Sequence, residues 1–105
     1  MDYLKRVEIE GVIIGRDDSM GALVVYAKEG MRGGTVNATL RDSGGVLANT
    51  LAEYKANIVG RKVNDDFVFA AVFPRLPTGF YRATGRYKDD EVTVFGGEVA
   101  EVDWR

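Results

Sequence analysis

The stretch that decides the fold is residues 67–87, Phe67-Val-Phe-Ala-Ala-Val-Phe-Pro-Arg-Leu-Pro-Thr-Gly-Phe-Tyr-Arg-Ala-Thr-Gly-Arg-Tyr87. Its first seven residues are all apolar, which predicts a strand that is buried on both faces. A corner with the pattern Pro-x-x-Pro-x-Gly follows, and the alternating residues after it predict a second strand. A chain passes from one sheet of a sandwich to the other through such a corner. The stretch therefore predicts a small β-sandwich.

The rest of the chain is typical of the same fold class. Turn-forming residues recur about every 8–12 positions, the spacing of an all-β sandwich or barrel. With 105 residues, we expect residues 1–105 to form one domain, a seven- or eight-stranded antiparallel β-sandwich. Further predicted strands lie at 7–15, 22–27, 35–41, 91–95 and 98–104. The last two are expected to form a hairpin through Gly96-Gly97, which readily takes the positive φ of a two-residue turn.

Residues 46–58 fit two patterns. Thr50-Leu-Ala-Glu53 matches a helix capping box, and the apolar residues around it have helical spacing. As a strand, the segment would place alternate residues on one face, namely Ala52, Tyr54, Ala56 and Ile58. Helix and strand both stay open at this point, and strand is favoured because the neighbours on both sides are strands.

The composition excludes several classes of function. The chain has no cysteine and no histidine, which removes disulfides, thiolate chemistry, the Ser-His-Asp arrangement and the usual zinc and copper ligands. The formal net charge of −2 gives no basic field for nucleic acid, and no stretch approaches the ~18 apolar residues of a membrane span. We expect a soluble, cytoplasmic protein that is not an enzyme, carries no cofactor and binds neither nucleic acid nor membranes.

Residues 73–81, Phe-Pro-Arg-Leu-Pro-Thr-Gly-Phe-Tyr, resemble the Phe-x-x-Leu-Pro-x-Gly-x-Tyr signature of prealbumin-like domains, a group that includes the transthyretin-like and carboxypeptidase regulatory-like domains. The resemblance implies a prealbumin-like or immunoglobulin-like sandwich. By the same resemblance, Leu76 plugs one end, Pro77 and Gly79 turn the corner, and Tyr81 re-enters the core.

Two further resemblances concern other parts of the chain. Residues 92–104 resemble the closing hairpin of the prealbumin-like family. Together with residues 21–26 and 69–73, they are similar to short, stand-alone, uncharacterised bacterial proteins. Transthyretin-like hydrolases depend on histidines that this chain lacks, so the resemblance does not extend to their chemistry.

Acidic pairs are the candidate metal-binding residues. The candidates are Asp65, Asp66, Asp89 and Asp90. If the strands simply alternate in direction, the predicted loops at 60–66 and 88–90 lie at one end of the sandwich, and carboxylate oxygens gathered there suit Ca²⁺. The favoured alternative is that these residues cap their own turns and pair with the nearby Arg61, Lys62 and Lys88.

Arginines and aromatic residues are the other candidate binding residues. Arg75, Arg82 and Arg86 flank the proline corner and its outgoing strand, and they would offer a cationic surface to an acidic partner or a glycan. The favoured alternative is a solvated face with cross-strand ion pairs. Trp104 marks an interface if it is exposed and plugs the sandwich if it is packed, and packing is favoured.

Open strand edges are the remaining candidate surface. A small sandwich has at least two edges, which are natural templates for strand addition or self-association. We therefore expect a non-catalytic interaction or assembly module that acts through an edge strand or a sheet face, with a protein partner or a second copy. The alternatives are a carbohydrate-binding accessory domain and a Ca²⁺-binding loop cluster on a structural domain.

Overall fold

A computed structural model describes residues 7–10, 12–14, 19–42 and 52–105. These residues form ten strands and one single-turn 3-10 helix at Glu29–Met31. The strands are β1 Val7–Ile9, β2 Val12–Ile14, β3 Met20–Ala27, β4 Thr35–Asp42, β5 Glu53–Asn57, β6 Val59–Val63, β7 Asp66–Pro77, β8 Gly79–Thr84, β9 Asp89–Val94 and β10 Val99–Asp103. The all-β prediction is confirmed for the described part of the chain.

Two sheets form a sandwich. The order is β10-β3-β7-β6-β1-β2 in the six-stranded sheet and β5-β4-β8-β9 in the four-stranded sheet. The structure describes ten strands, more than the predicted seven or eight. One reason is that residues 52–63 contain two strands, β5 and β6, which belong to different sheets and are connected by the buried residue Ile58. The expectation of purely antiparallel pairing is wrong at one place, since β10 runs parallel to β3.

The proline corner carries the chain between the sheets, as the sequence predicted. β7 belongs to the six-stranded sheet and β8 to the four-stranded one, with Thr78 between them. On β7, Pro74 and Arg75 together oppose the single residue Ala22 of β3, because Phe73 pairs with Leu23 and Leu76 with Gly21. This is a β-bulge, one of the few places where a sheet accepts a proline.

The main core lies between the two sheets. Leu76, Tyr81 and Trp104 are among its largest fully buried side chains. The Tyr81 hydroxyl donates a hydrogen bond to the Pro77 carbonyl oxygen at 2.6 Å, which ties the start of β8 back to the corner. A buried phenol needs such a partner, because an unpaired hydroxyl in the core would be costly.

A second, smaller core lies on the other face of the six-stranded sheet. Its buried members are Val7, Ile9, Val24, Val63 and Ala70. Strand β3 therefore contributes Leu23 and Val25 to one core and Val24 to the other. The predicted strand at 22–27 is thus present, and it is a central strand with both faces buried.

The predicted C-terminal hairpin is wrong. Strands form at both places, but β9 joins the four-stranded sheet and β10 the six-stranded one. Gly97 does take a positive φ of 78°, yet its N–H donates to the carbonyl oxygen of Met20 at 3.0 Å. The turn is therefore tied to β3, and β10 continues along that strand instead of folding back on β9.

The ambiguous segment and one predicted loop are also resolved. Glu53–Asn57 is a strand, while the earlier part of the segment, including the rest of the capping box, lies outside the described residues. The range 60–66 is not a loop: β6 and β7 occupy most of it, and the turn is reduced to Asn64 and Asp65.

Candidate functional site

Strand β5 presents an open edge of the four-stranded sheet. The Leu40 N–H donates to the Ala52 oxygen at 2.8 Å, and the Ile58 N–H donates to the Gly34 oxygen at 2.8 Å. Bonded pairs alternate along an antiparallel ladder, so the even-numbered residues of this segment bond to β4. The backbone groups of Glu53, Lys55 and Asn57 therefore point away from the sheet, and the described residues place no strand on that side.

The side chains of β5 alternate as a surface strand requires. Tyr54 and Ala56 are half-buried against the main core, and Glu53, Lys55 and Asn57 are exposed. Tyr54 packs near Tyr81, with ring centroids 6.3 Å apart. Lys55 Nζ lies 4.0 Å from Glu53 Oε1. The edge thus carries one cation and one anion, two residues apart, on the same face.

The other edge of this sheet has a different charge pattern. Strand β9 begins with Asp89, Asp90 and Glu91, all exposed. Three adjacent acidic residues repel a second strand of the same kind, which is a common protection for a sheet edge. Between the two edges of the four-stranded sheet, β5 is the one suited to pairing.

A cleft of about 390 Å³ opens at one end of the sandwich. It lies between the turn that holds the 3-10 helix and the turn that follows β8, and its lining residues are Gly30, Met31, Arg32, Gly33, Gly34, Thr35, Ile58, Gly85, Arg86 and Tyr87. The Tyr87 side chain is 80% exposed, and the Arg86 guanidinium carbon lies 5.3 Å from its ring centroid.

A second cleft, of about 310 Å³, lies beside the outer face of the six-stranded sheet. The Tyr26 hydroxyl donates a hydrogen bond to Glu101 there, and Arg105 lies over the Tyr26 ring at 4.7 Å. Arg105 also forms a two-pronged pair with Asp103, both N···O distances being 3.0 Å. The polar groups of this second cleft are thus largely satisfied by one another.

Two pKa shifts describe the electrostatics of the second cleft. Burial raises the pKa of the Tyr26 phenol, and the hydrogen bond to Glu101 raises it further. Tyr26 is therefore a hydrogen-bond donor at neutral pH. The hydrogen bonds from Arg105 lower the pKa of Asp103 to about 2, so that carboxylate stays charged.

The structure distributes the predicted binding residues over separate places. Arg75 is exposed at the β7 bulge, and Arg82 on β8 pairs with Asp89 at an N···O distance of 3.1 Å. Arg86 lines the 390 Å³ cleft. Trp104 is only 1% exposed, and its Nε1 donates to Asp90 Oδ2 at 2.5 Å. Trp104 is therefore packed, as favoured, and offers no surface.

The predicted acidic residues are not gathered into one cluster. Asp65 and Asp66 belong to the hairpin between β6 and β7, in the six-stranded sheet, whereas Asp89 and Asp90 begin β9 in the other sheet. Lys62 Nζ lies 4.0 Å from Asp65 Oδ1, and Asp89 is paired with Arg82. Within the described ranges, no group of three or more acidic side chains is placed to hold a metal ion.

Comparison with known protein families, curated proteins and solved structures found no match to this chain. In the described part of the chain, no helix has the length and apolar character needed to cross a membrane. The function is therefore inferred from the two best-defined surfaces, the β5 edge and the 390 Å³ cleft.

The sequence predicted a contact through an edge strand and named Arg86 as a binding residue, but it located neither of these two surfaces. Arg32 and Tyr87 line one cleft although more than fifty positions separate them in the chain. The cluster of glycines at 30–34 is visible in the sequence, but such clusters indicate turns far more often than binding sites. The β5 edge was hidden by the helix-or-strand ambiguity of its segment.

Proposed function

We propose that the protein is a non-catalytic, prealbumin-like interaction module that assembles through the free edge of β5, and that its partner is a second copy of the chain. A single observation carries the proposal: the outward-bonding residues of β5 include Glu53 and Lys55, which carry opposite charges. A second β5 laid antiparallel along this edge would receive hydrogen bonds and matched charges at the same time.

The register of such a pair follows from the bonding pattern. Residues of β5 whose backbone groups point away from the sheet must face the same kind of residue in the second copy. A register that is shifted by one position would therefore break the hydrogen bonds between the two strands. A pair centred on Tyr54 places each Glu53 opposite Lys55 of the second copy, an arrangement that stabilises antiparallel strands. A pair centred on Lys55 would instead place two lysines opposite each other, which is unfavourable. One register is therefore preferred.

The symmetry of this contact closes the assembly. The same edge is used on both copies, so the interface is two-fold and stops at a dimer. The acidic β9 edge disfavours continued growth of the joined sheet on its other side. Because a five-residue edge is smaller than a standard interface, we expect a weak dimer with a Kd in roughly the micromolar range or above.

The prealbumin-like assignment in this proposal is supported by the proline corner. Leu76 and Tyr81 are both fully buried, as residues with the roles that the resemblance implies would be. Pro77 and Gly79 flank the residue at which the chain changes sheets.

The proposal predicts a charge-swap result. We expect sedimentation velocity over a concentration series to show a reversible dimer for the unaltered protein. Glu53→Lys or Lys55→Glu alone should abolish it, because like charges would then face each other across the pair. The double variant Glu53→Lys/Lys55→Glu should recover it, because the opposite charges are restored in reversed positions.

The control is Lys62→Glu, which makes the same charge change on an exposed lysine of the β6–β7 hairpin. It should leave the dimer intact. Circular dichroism would establish that each variant is folded. A protein that stays monomeric at all concentrations, or single variants that sediment like the unaltered chain, would refute assembly through β5.

A further inference from the structure

The 390 Å³ cleft is built from two turns that are fixed by backbone hydrogen bonds. In the turn before β4, the Gly33 N–H donates to the Ile58 oxygen at 2.7 Å and the Gly34 N–H to the Met31 oxygen at 3.0 Å. In the turn after β8, the Gly85 N–H donates to the Lys88 oxygen at 2.7 Å. Both walls of the cleft are therefore held in place without a ligand, which lowers the entropy cost of binding.

The charge of this cleft is positive. Arg32 and Arg86 line it, and among the residues that the structure describes no aspartate or glutamate does. Neither arginine forms an ion pair with any residue that the structure describes. The 310 Å³ cleft is different, because its described lining contains three acidic residues and one arginine, which is paired with Asp103. Of the two described linings, the first is therefore the one that offers guanidinium groups to an incoming anion.

The remaining lining suits a ring with hydroxyl groups. Tyr87 is the most exposed of the large apolar and aromatic side chains described, and an exposed aromatic face is a natural stacking surface for the apolar side of a sugar. Met31 and Ile58 supply apolar surface in the cleft. A Cβ atom built on Gly30 or Gly33 meets nothing within 4 Å, so the glycine side of the cleft is open.

We propose that this cleft binds a sugar carrying a carboxylate, such as a uronic acid. The carboxylate would pair with the guanidinium groups of Arg32 and Arg86, whose planar forks match its geometry. The sugar ring would lie against the face of Tyr87 that Arg86 does not cover. The cleft's volume of about 390 Å³ is within the range of small-molecule sites in proteins. The cleft adjoins the end of β5 at Ile58, but its described lining includes none of the residues Glu53–Asn57, and binding does not require the dimer.

The test is a titration of the ¹⁵N-labelled protein with D-glucuronate, followed by amide chemical shifts, with D-glucose as the neutral control. We expect glucuronate to shift the amides of residues 30–34 and 85–87 in a saturable manner. Glucose should leave them unchanged at the same concentrations. Added salt should weaken the binding of glucuronate, because the recognition is between charges.

Variants assign the recognition to side chains. Arg32→Gln and Arg86→Gln should each raise the Kd about tenfold, the loss expected for one hydrogen bond to a charged group. Tyr87→Ala should raise it by a smaller factor. Arg41→Gln makes the same change at an exposed arginine of β4 outside the cleft, and it should leave the Kd unchanged.

Three results would overturn the proposal. One is the absence of shifts with glucuronate, and another is an equal response to glucose, which would show that charge is not recognised. The third is a set of shifted amides that lies away from the two turns. Because the dimer is measured by sedimentation without any sugar, failure of this site and failure of the β5 interface are distinguishable.

Discussion

Gly21 lies where β3 passes the connection between β9 and β10. A Cβ atom built on it would be 2.4 Å from the Phe95 carbonyl oxygen and 2.5 Å from Val94 Cγ1. The Phe95 oxygen belongs to the backbone and cannot rotate away, so an added methyl group must push the strands apart. We expect Gly21→Ala to lower the free energy of unfolding by about 1–3 kcal/mol, measured by urea denaturation.

Gly30 provides the matched control for this prediction. A Cβ atom built there meets nothing within 4 Å, so Gly30→Ala should change the free energy of unfolding by less than about 0.5 kcal/mol. Equal losses for the two alanine variants would show that the close approach at Gly21 does not limit the packing of the strands.

For single residues, the sequence predicts burial better than it predicts hydrogen-bond partners. Trp104 was expected to be packed and Tyr81 to lie in the core, and both are fully buried. That Trp104 donates to Asp90 was not foreseen, because the contact joins β9 to the residue after β10, and these two strands belong to different sheets. Apolar character is a property of one residue, whereas a hydrogen bond depends on where the fold places two.

Among the elements, the hairpin between β6 and β7 is closed by a two-residue turn. Its central residues Asn64 and Asp65 both have positive φ, 49° and 72°, as a two-residue turn of the primed type requires. The Asn64 side chain has a structural role here, because its Oδ1 accepts a hydrogen bond from the Glu8 N–H at 2.8 Å. Among the described residues, Asp65 makes only an exposed ion pair with Lys62, so residue 65 is the position to vary.

We expect Asp65→Gly to raise the free energy of unfolding by about 0.5 kcal/mol. Glycine adopts positive φ without steric cost, and this gain exceeds the entropy that glycine adds to the unfolded chain. The lost ion pair with Lys62 is exposed and contributes little. Thermal and urea unfolding would measure the change.

Asp65→Val is the opposing variant. A β-branched side chain is strongly disfavoured at positive φ, so this change should lower the free energy of unfolding by about 1–2 kcal/mol. If valine and glycine had the same effect, backbone strain at residue 65 would not be the cause.

Local sequence patterns predicted where the strands lie better than they predicted which strands pair. The alternation at 52–58 and the proline corner at 73–81 are visible in the sequence because each is set by neighbouring residues. The parallel pairing of β10 with β3 brings together residues more than seventy positions apart, and no local pattern records it. The same reason explains why the cleft between the turns at 28–34 and 85–88 could not be predicted.

At the scale of the whole molecule, two tyrosine hydroxyls make the stability of both cores depend on pH. Tyr81 lies in the main core, and Tyr26 packs beside the second core on the other face of the six-stranded sheet. Burial raises the pKa of each above the ordinary value of 10.0, and the hydrogen bond to Glu101 adds to the rise at Tyr26. Both phenols therefore stay protonated in the folded protein at a pH where the unfolded chain ionises them.

The sign of the effect follows from these raised values. Protonation of the two phenols stabilises the fold fully below pH 10, and the stabilisation is lost as the pH rises above it, because the unfolded chain then releases the protons more readily. Each phenol that stays protonated where the unfolded chain ionises accounts for a loss of up to about 1.4 kcal/mol per pH unit, and the contribution of Tyr26 is discounted because solvent screens its half-exposed side chain. We expect the free energy of unfolding to fall by about 2 kcal/mol per pH unit above pH 10.

Urea denaturation at a series of alkaline pH values would measure this slope, and tyrosine variants would assign it. Tyr81→Phe should lower stability at neutral pH by about 1 kcal/mol, through the lost hydrogen bond to Pro77, but it should flatten the alkaline slope. Tyr26→Phe should flatten it by a smaller amount. Tyr87→Phe removes a hydroxyl from an 80% exposed side chain and should leave the slope unchanged. A slope that persists in the double variant Tyr26→Phe/Tyr81→Phe would show that groups other than these two phenols control the alkaline limit of the fold.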